Sequence, residues 1–178
     1  MDNKTLAPTR KLGLRMAAAL VLASFSGAAM AAFDMFLVIP GVPGESVDAT
    51  YPGAINVLAF SWGLARPAAP PTPALTCIAS DLSLTKYADI ATGPLLLGLV
   101  RGKIYPSIKL VLHEAVPTLQ DYITIELINA QLTSLSAGGA AGESQLTENI
   151  SIHFGRPIYT YTPQGGGTPI VTAVPHCP

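Results

Sequence analysis

The sequence is poor in charged side chains and contains few groups that commonly perform chemistry. Lysine, arginine, aspartate and glutamate together make up 12% of its 178 residues, and there are only three histidines and two cysteines. The ten basic residues do not outnumber the eleven acidic ones. Because binding to nucleic-acid phosphates needs a basic patch, this balance argues against nucleic acid as a partner.

Residues 1–31 have the features of a cleavable signal peptide. A basic segment containing Lys4 and Arg15 precedes an apolar run from Met16 to Met30, which is shorter than the ~20 residues of a membrane-spanning helix. The run ends in the small-x-small pattern of residues 29–31, which predicts cleavage after Ala31. The alternative is an N-terminal anchor that is not cleaved.

Cleavage would leave residues 32–178 as one domain. It would remove four of the ten basic residues and one of the eleven acidic ones, so the net charge of the mature domain would be −4. No later apolar segment is long enough to span a membrane. We therefore expect a bacterial protein that is secreted or periplasmic and has no stable membrane insertion.

The two cysteines, Cys77 and Cys177, are candidates for a disulfide. An exported chain reaches an oxidising compartment where disulfides persist, and two cysteines favour one pair. The bond would join the C-terminal tail to the loop before Asp81. Free thiols, or a bond between neighbouring subunits, are the alternatives.

Apolar residues alternate along most of the mature chain, as they do in β-strands. Strands are predicted from Phe33 to Ile39, Ala54 to Trp62, Asp81 to Tyr87 and four later segments, namely 107–113, 122–130, 149–154 and 158–162. The proline-rich stretch from 66 to 73 predicts an exposed loop, since proline cannot join a central sheet ladder. The pattern predicts an all-β fold, a compact barrel or sandwich of antiparallel strands.

One short helix is predicted within this β pattern. Gly93-Pro94 would begin it, with proline at the first helical position, and Gly102 would end it as a left-handed cap. Its leucines and Val100 cover most of the circumference. We therefore expect the helix to close the end of a barrel or to lie between subunits.

The sequence predicts no catalytic, cofactor or metal site. The three histidines, His113, His153 and His176, share no ligand spacing, and the first two fall on the polar faces of their strands, which predicts solvent exposure. Ser61 and Ser134 lack the strand–elbow–helix context of a hydrolase serine. We therefore expect neither an enzyme nor a cofactor.

Several motifs, in order, resemble the Hcp (haemolysin-coregulated protein) family of bacterial type VI secretion. Residues 33–46 are similar to its opening strand, and 55–63, ending in Phe-Ser-Trp-Gly, to its second strand. Residues 82–89 are similar to its central signature and 95–102 to its helix and the following turn. Residues 150–155 and 159–164 complete the match, which covers nearly the whole mature chain.

The resemblance implies a β-barrel with one helix, a homo-hexameric ring and a tube of stacked rings that also carries effector proteins in its channel. The loop after Gly63 would help the rings to stack. A cleavable leader is atypical of such subunits, so the chain also fits an exported binding or fibre module that works in the periplasm or at the cell surface, without propulsion by a sheath.

Overall fold

The computed structural model describes residues 33–66, 77–114, 120–163 and 167–175. These residues form eleven strands and one helix. In chain order the elements are β1 (Phe33–Val38), β2 (Ile55–Asn56), β3 (Ala59–Ser61), β4 (Leu64–Ala65), β5 (Ile78–Ala79), β6 (Leu82–Tyr87), α1 (Thr92–Val100), β7 (Ile104–Glu114), β8 (Asp121–Gly138), β9 (Thr147–His153), β10 (Arg156–Tyr161) and β11 (Ile170–Ala173).

Nine of the strands form one antiparallel sheet with the order β2-β1-β7-β8-β9-β6-β3, and β10 lies between β8 and β11. Strands β4 and β5 pair separately at the base of the proline-rich segment. The prediction of an antiparallel β fold with one helix is therefore confirmed. Of the stretch from 66 to 73 that was predicted to form an exposed loop, Arg66 is exposed and residues 67–73 lie outside the described residues.

Among the described residues, the strand pairings do not close into a barrel. The predicted strand from 54 to 62 is wrong because it divides into β2 and β3. Between these strands the backbone N–H of Val57 donates to Met35 O in β1 (2.9 Å), whereas that of Leu58 donates to Thr85 O in β6 (2.8 Å). This stretch therefore passes from one end of the sheet to the other. That passage explains why its apolar residues have no single inward face.

Strand β8 extends eight residues past Ala130, where the predicted strand ended. Asn129 has a positive φ of 53°, and the pairing with β9 shifts register between Leu132 and Ser134. An extra residue in a strand reverses the alternation of its faces. The period-two pattern therefore breaks inside a continuous strand, and the prediction took the break for a strand end.

The core contains the inward residues that the alternation predicted. Leu37, Leu110, Ile125, Ile150 and Ile152 are at most 1% exposed. They form one cluster with Leu95 of α1, so the helix covers part of the hydrophobic core. Phe33 is the exception, because it is 47% exposed at the end of β1.

Helix α1 begins at Thr92, two residues before the predicted proline start. The end was predicted correctly. Gly102 has a φ of 60°, the N–H of Lys103 donates to Gly98 O (2.9 Å), and that of Gly102 donates to Leu99 O (3.0 Å). This pair of bonds is the Schellman arrangement, in which a left-handed glycine satisfies the last helical carbonyls and turns the chain.

Candidate self-association surface

One face of the sheet carries small uncharged side chains in register across four neighbouring strands. Ser61 pairs with Ser83, Ser83 with Ser151, and Ser151 with Ser134. The row beside it has the same order of strands and contains Ala59, Thr85, Asn149 and Ser136. We call these two rows the serine face. Its eight side chains are exposed or half-buried, and none is ionisable.

The opposite face of the same four strands belongs to the core. Leu84 and Ile150 are 2% and 1% exposed, and the strand alternation therefore sends every second residue to the serine face. The uncharged character of the exposed rows distinguishes them from an ordinary solvated sheet face, which is usually polar and charged.

This four-stranded section, β3-β6-β9-β8, has an unpaired edge at each end within the described part of the chain. Strand β3 pairs only with β6. On the other side, β7 accompanies β8 as far as Gln131, so that residues 132–138 pair only with β9. Exposed backbone N–H and C=O groups of such edges are ready to pair with another strand.

A buried ionic cluster holds the section against α1. The Lys86 ammonium group is fully buried and lies 2.7 Å from both Asp89 Oδ1 and Glu148 Oε2. It also donates to Tyr87 O (2.9 Å), and the Thr92 hydroxyl donates to Glu148 Oε2 (2.9 Å). One lysine thus joins β6, β9 and the first turn of the helix.

His153 lies beside the serine face and is exposed, as predicted, with 63% of its side chain accessible. Its Nδ1 is 3.0 Å from Asp81 Oδ1, and the other carboxylate oxygen accepts a hydrogen bond from the Thr133 hydroxyl (2.7 Å). The carboxylate orients the imidazole. In this pair the Thr133 hydroxyl is bonded to the carboxylate and not to the imidazole.

His113 was predicted to be exposed, and this is wrong because it is 1% exposed. The loop between β1 and β2 covers it. Tyr51 from that loop stacks on Phe36, with ring centroids 5.1 Å apart, and donates to Asp121 Oδ2 (2.5 Å). Asp121 Oδ1 lies 2.9 Å from His113 Nδ1.

The geometry around Tyr51 makes its hydroxyl a hydrogen-bond donor and not a base. Burial, followed by the hydrogen bond to Asp121 and the charge of that carboxylate, raises the pKa of Tyr51 well above its ordinary value. The same loop borders an open cleft of about 710 Å³ whose lining includes Val42, Pro43 and Lys109. The contacts of Tyr51 with Phe36 and Asp121 hold this loop against the sheet.

The other predicted positions give no further site. Within the described segments, no group of three or more histidine, cysteine or acidic side chains is arranged to hold a metal ion, and no helix is long and apolar enough to cross a bilayer. Cys77 is half-buried immediately before β5. Ala31, His176 and Cys177 lie outside the described residues, so the cleavage site and the disulfide stay predictions.

The fold, the uncharged face and the two open edges define an antiparallel β-sheet protein that offers strand edges for pairing. A family model described as "Type VI secretion system effector, Hcp" matches residues 36–161. The chain therefore belongs to the Hcp family, and it is a tube subunit of a type VI secretion system. The family and the role of type VI secretion tube subunit that the sequence motifs indicated are confirmed.

Individual relatives agree with this assignment. The chain is 38% identical to Protein hcp1 of Pseudomonas aeruginosa over 138 residues, which cover 75% of this chain and 85% of that protein. Hcp1 from Salmonella typhimurium has a similar structure, with a TM-score of 0.71, 25% identity and coverage of 82% and 95% of the two chains. A type VI secretion system effector from Yersinia pestis gives a TM-score of 0.68, 26% identity and coverage of 80% and 99%.

The serine face and its edges were not found from the sequence. Ser83 and Ser151 lie on the polar sides of predicted strands, but nothing local indicates that Ser61 and Ser134 join them in one row. That row depends on which strands are neighbours and on the bulge in β8. A search for uncharged residues at alternate positions of several strands could have indicated an unusual face, although not its edges.

Proposed function

We propose that the mature chain, residues 32–178, forms a homo-hexameric ring, and that rings stack into a tube. The observation that carries this proposal is the four-stranded section with an open edge at each end. In a ring, β3 of one subunit would pair with residues 132–138 of β8 in the next. Because β3 and β8 run in opposite directions within the section, the added pair would continue the antiparallel order.

Six copies of the section would close a continuous wall of 24 strands. With strands ~4.8 Å apart and tilted as in barrels, such a wall has a diameter on the order of 40 Å. The serine face would line the channel, because its small side chains offer little apolar area for a subunit contact. An uncharged hydroxyl-rich wall supports passage of effector proteins, since it lacks charges that would hold them tightly.

We propose a structural role without catalysis. In both histidine pairs the neighbouring hydroxyl, of Tyr51 or Thr133, is bonded to the carboxylate and not to the imidazole, and the two serine-face rows of the proposed channel wall carry no ionisable side chain. The family assignment supports the same role.

The signal-peptide features of residues 1–31 favour a second candidate. An exported Hcp-like chain would assemble after translocation, in the periplasm or outside the cell, and would act there as a binding or fibre module. The two candidates share the ring contact and differ in where the ring forms and in whether a sheath propels it.

Introducing like charges at the two open edges should prevent ring formation. Ala59 and Ser136 are exposed, lie on the outermost strands of the section and are separated by β6 and β9 in one subunit. In the ring they would meet across the contact between subunits, where like charges on neighbouring strands repel. The double variant Ala59→Glu/Ser136→Glu should be monomeric by light scattering, whereas the wild type should be a hexamer.

The matched control is Ala59→Glu/Ser136→Lys, which places opposite charges at the same positions and should retain the ring. A hexameric Glu/Glu variant would refute the proposed edge pairing. A wild-type protein that stays monomeric at high concentration would refute the ring itself, and electron microscopy would show directly whether rings or tubes are present.

Mass spectrometry of the exported protein tests the leader and the disulfide together. We expect a mature N-terminus at Ala32 and, without reduction, a peptide linkage between Cys77 and Cys177, within one chain or between neighbours. The linkage would stabilise the tail, with loop closure over ~100 residues contributing ~4 kcal/mol in the entropic model. An intact leader, or two free thiols in oxidised material, would contradict the corresponding part.

A further inference from the structure

The serine face continues into a third row that carries an acid and a base. His153 follows Asn149 and Ser151 at alternate positions of β9, so its side chain leaves the strand on the same side as theirs. Asp81 comes directly before β6, and its Oδ1 lies 3.0 Å from His153 Nδ1. The pair lies at one end of the four-stranded section, because β9 ends at His153 and β6 begins at Leu82.

Three strands hold this pair in place and leave it open to solvent. Asp81 Oδ2 accepts a hydrogen bond from the Thr133 hydroxyl of β8 (2.7 Å), so one carboxylate joins the start of β6 to β9 and β8. The Phe154 ring stacks on the imidazole, with ring centroids 6.3 Å apart. The side chains of His153 and Asp81 are nevertheless 63% and 33% accessible. The pair can therefore contact a molecule that lies against the serine face.

The charge of the pair depends on pH. Histidine ordinarily changes its charge between about pH 5 and pH 8, whereas aspartate is ionised throughout that range. The pair therefore carries one negative charge with a neutral imidazole and no net charge with a protonated one. On the neighbouring part of β8, Gln131 pairs with His153 and Thr133 bonds to Asp81, and both are uncharged. The nearest charged residue along the chain is Arg156, which is exposed at the start of β10.

We propose that six Asp81–His153 pairs form an anionic ring at one end of the channel, and that this ring binds a basic segment of a polypeptide inside it. The inference rests on the proposed hexamer and names the class of cargo that the hexamer would hold. The two serine-face rows carry no ionisable side chain. The pairs would therefore set the charge of the three rows, which would change from roughly −6 to zero as the six imidazoles gain their protons.

The spacing of the pairs favours an extended polypeptide over a small cation. On a ring with a diameter on the order of 40 Å, neighbouring pairs would be ~20 Å apart. Charges at that distance act separately, because the Debye length at physiological salt is ~8 Å. A small cation would meet one exposed pair at a time, and such a contact is weak. An extended chain spans ~20 Å with about six residues, so a basic segment would contact several pairs at once.

Binding of a fluorescent oligolysine peptide to assembled rings of the mature protein tests the proposal. Asp81→Asn keeps the shape of the side chain and removes its charge, so it should weaken binding by ~10-fold or more. Asp34→Asn is the matched control, because Asp34 is an exposed carboxylate of β1 outside the three rows. This control should bind within about twofold of the wild type. Fluorescence anisotropy at low salt measures the affinities, and an oligoglutamate peptide should not bind.

Acidification should release the peptide from wild-type rings. Between about pH 7.5 and pH 5.5 the imidazole gains its proton and neutralises the pair, so the affinity should fall by ~10-fold. His153→Gln cannot gain this proton. Its affinity should equal that of the wild type at the higher pH and change by less than about threefold over the interval. Sedimentation velocity and circular dichroism at both pH values check that the rings and their subunits stay intact.

The outcomes separate this inference from the proposed function. A wild type that forms no ring refutes the proposed function. Assembled rings of Asp81→Asn that bind oligolysine as tightly as the wild type overturn the anionic ring. An equal loss of affinity on acidification in His153→Gln and in the wild type overturns the role of His153, and this comparison stands even where Asp81→Asn does not fold.

Discussion

Replacing Lys86 by methionine should lower the free energy of unfolding by about 3–5 kcal/mol, because two largely buried carboxylates would lose the cation that pairs with both of them. Asp89 and Glu148 both lie 2.7 Å from the Lys86 ammonium group, and their side chains are 10% and 2% exposed. Methionine keeps the length and apolar contacts of the lysine stem. Denaturant unfolding of the variant and the wild type measures the difference.

The matched control is Lys109→Met, which removes an exposed lysine from the same sheet. The Lys109 ammonium group is 3.7 Å from Glu126 Oε1, and its side chain is 49% exposed. Such surface pairs contribute about 0–1 kcal/mol, so this variant should unfold nearly as the wild type does. Adding Glu148→Gln to Lys86→Met should recover part of the loss. Equal effects of the two methionine variants would contradict the proposed importance of the buried cluster.

Gly44→Ala should be the second severely destabilising change, with a loss of about 3 kcal/mol or more. A Cβ at Gly44 would collide with Ala54 O and would lie 2.6 Å from the Ala54 carbonyl carbon and from Ile55 Cα. These are backbone atoms, which cannot move aside as a flexible side chain can. The Gly44 N–H also donates to Gly53 O (2.8 Å), which holds the two arms of the loop together.

Gly63→Ala provides the comparison, since a Cβ there has no neighbour within 4 Å and Gly63 has no positive φ. It should change the free energy of unfolding by less than about 0.5 kcal/mol. Thermal unfolding followed by circular dichroism distinguishes the two variants. A Gly44→Ala protein as stable as Gly63→Ala would show that the loop arms can separate at little cost.

The alternation of apolar residues was sufficient to predict most strands and the helix. Ile150, Ile152 and Phe154 point inward as expected because nothing interrupts their period-two spacing. Gly102 was sufficient to locate the helix end, since a left-handed cap favours glycine. These features depend on the local chain, and local sequence therefore identifies them.

Features that depend on the packing of distant segments could not be predicted in this way. His113 occupies a polar position of β7, but Tyr51 and its loop cover it from 62 positions earlier in the chain. Lys86 lies on the core face of β6 together with Leu82 and Leu84. Its buried charge is compensated by Asp89 and by Glu148, which lies on a distant strand. A charge at a core position could have indicated such a cluster, although not its partners.

In the candidate surface, too, some features depend on local sequence and others on the packing of distant strands. The alternation within each strand predicted that Ser83 and Ser151 lie on the polar face. Their alignment with Ser61 and Ser134 depends on which strands are neighbours in the sheet. The faces of β8 are exchanged at Asn129, and the register shift between Leu132 and Ser134 brings Ser134 back to the face that Ser151 occupies. The open edge of β8 follows from the different lengths of β7 and β8, and that of β3 from its place at the end of the sheet order. No local pattern encodes either feature.

The long strand β8 has a mechanical consequence. Its first half pairs with β7 and β10, and its second half forms an edge of the section proposed to line the channel. One covalent backbone therefore runs through both regions. A load applied along that strand would pull on many hydrogen bonds at once in shear, instead of opening them one by one. The component of an axial push that acts along the tilted β8 would therefore be resisted by the subunit as a single stiff body.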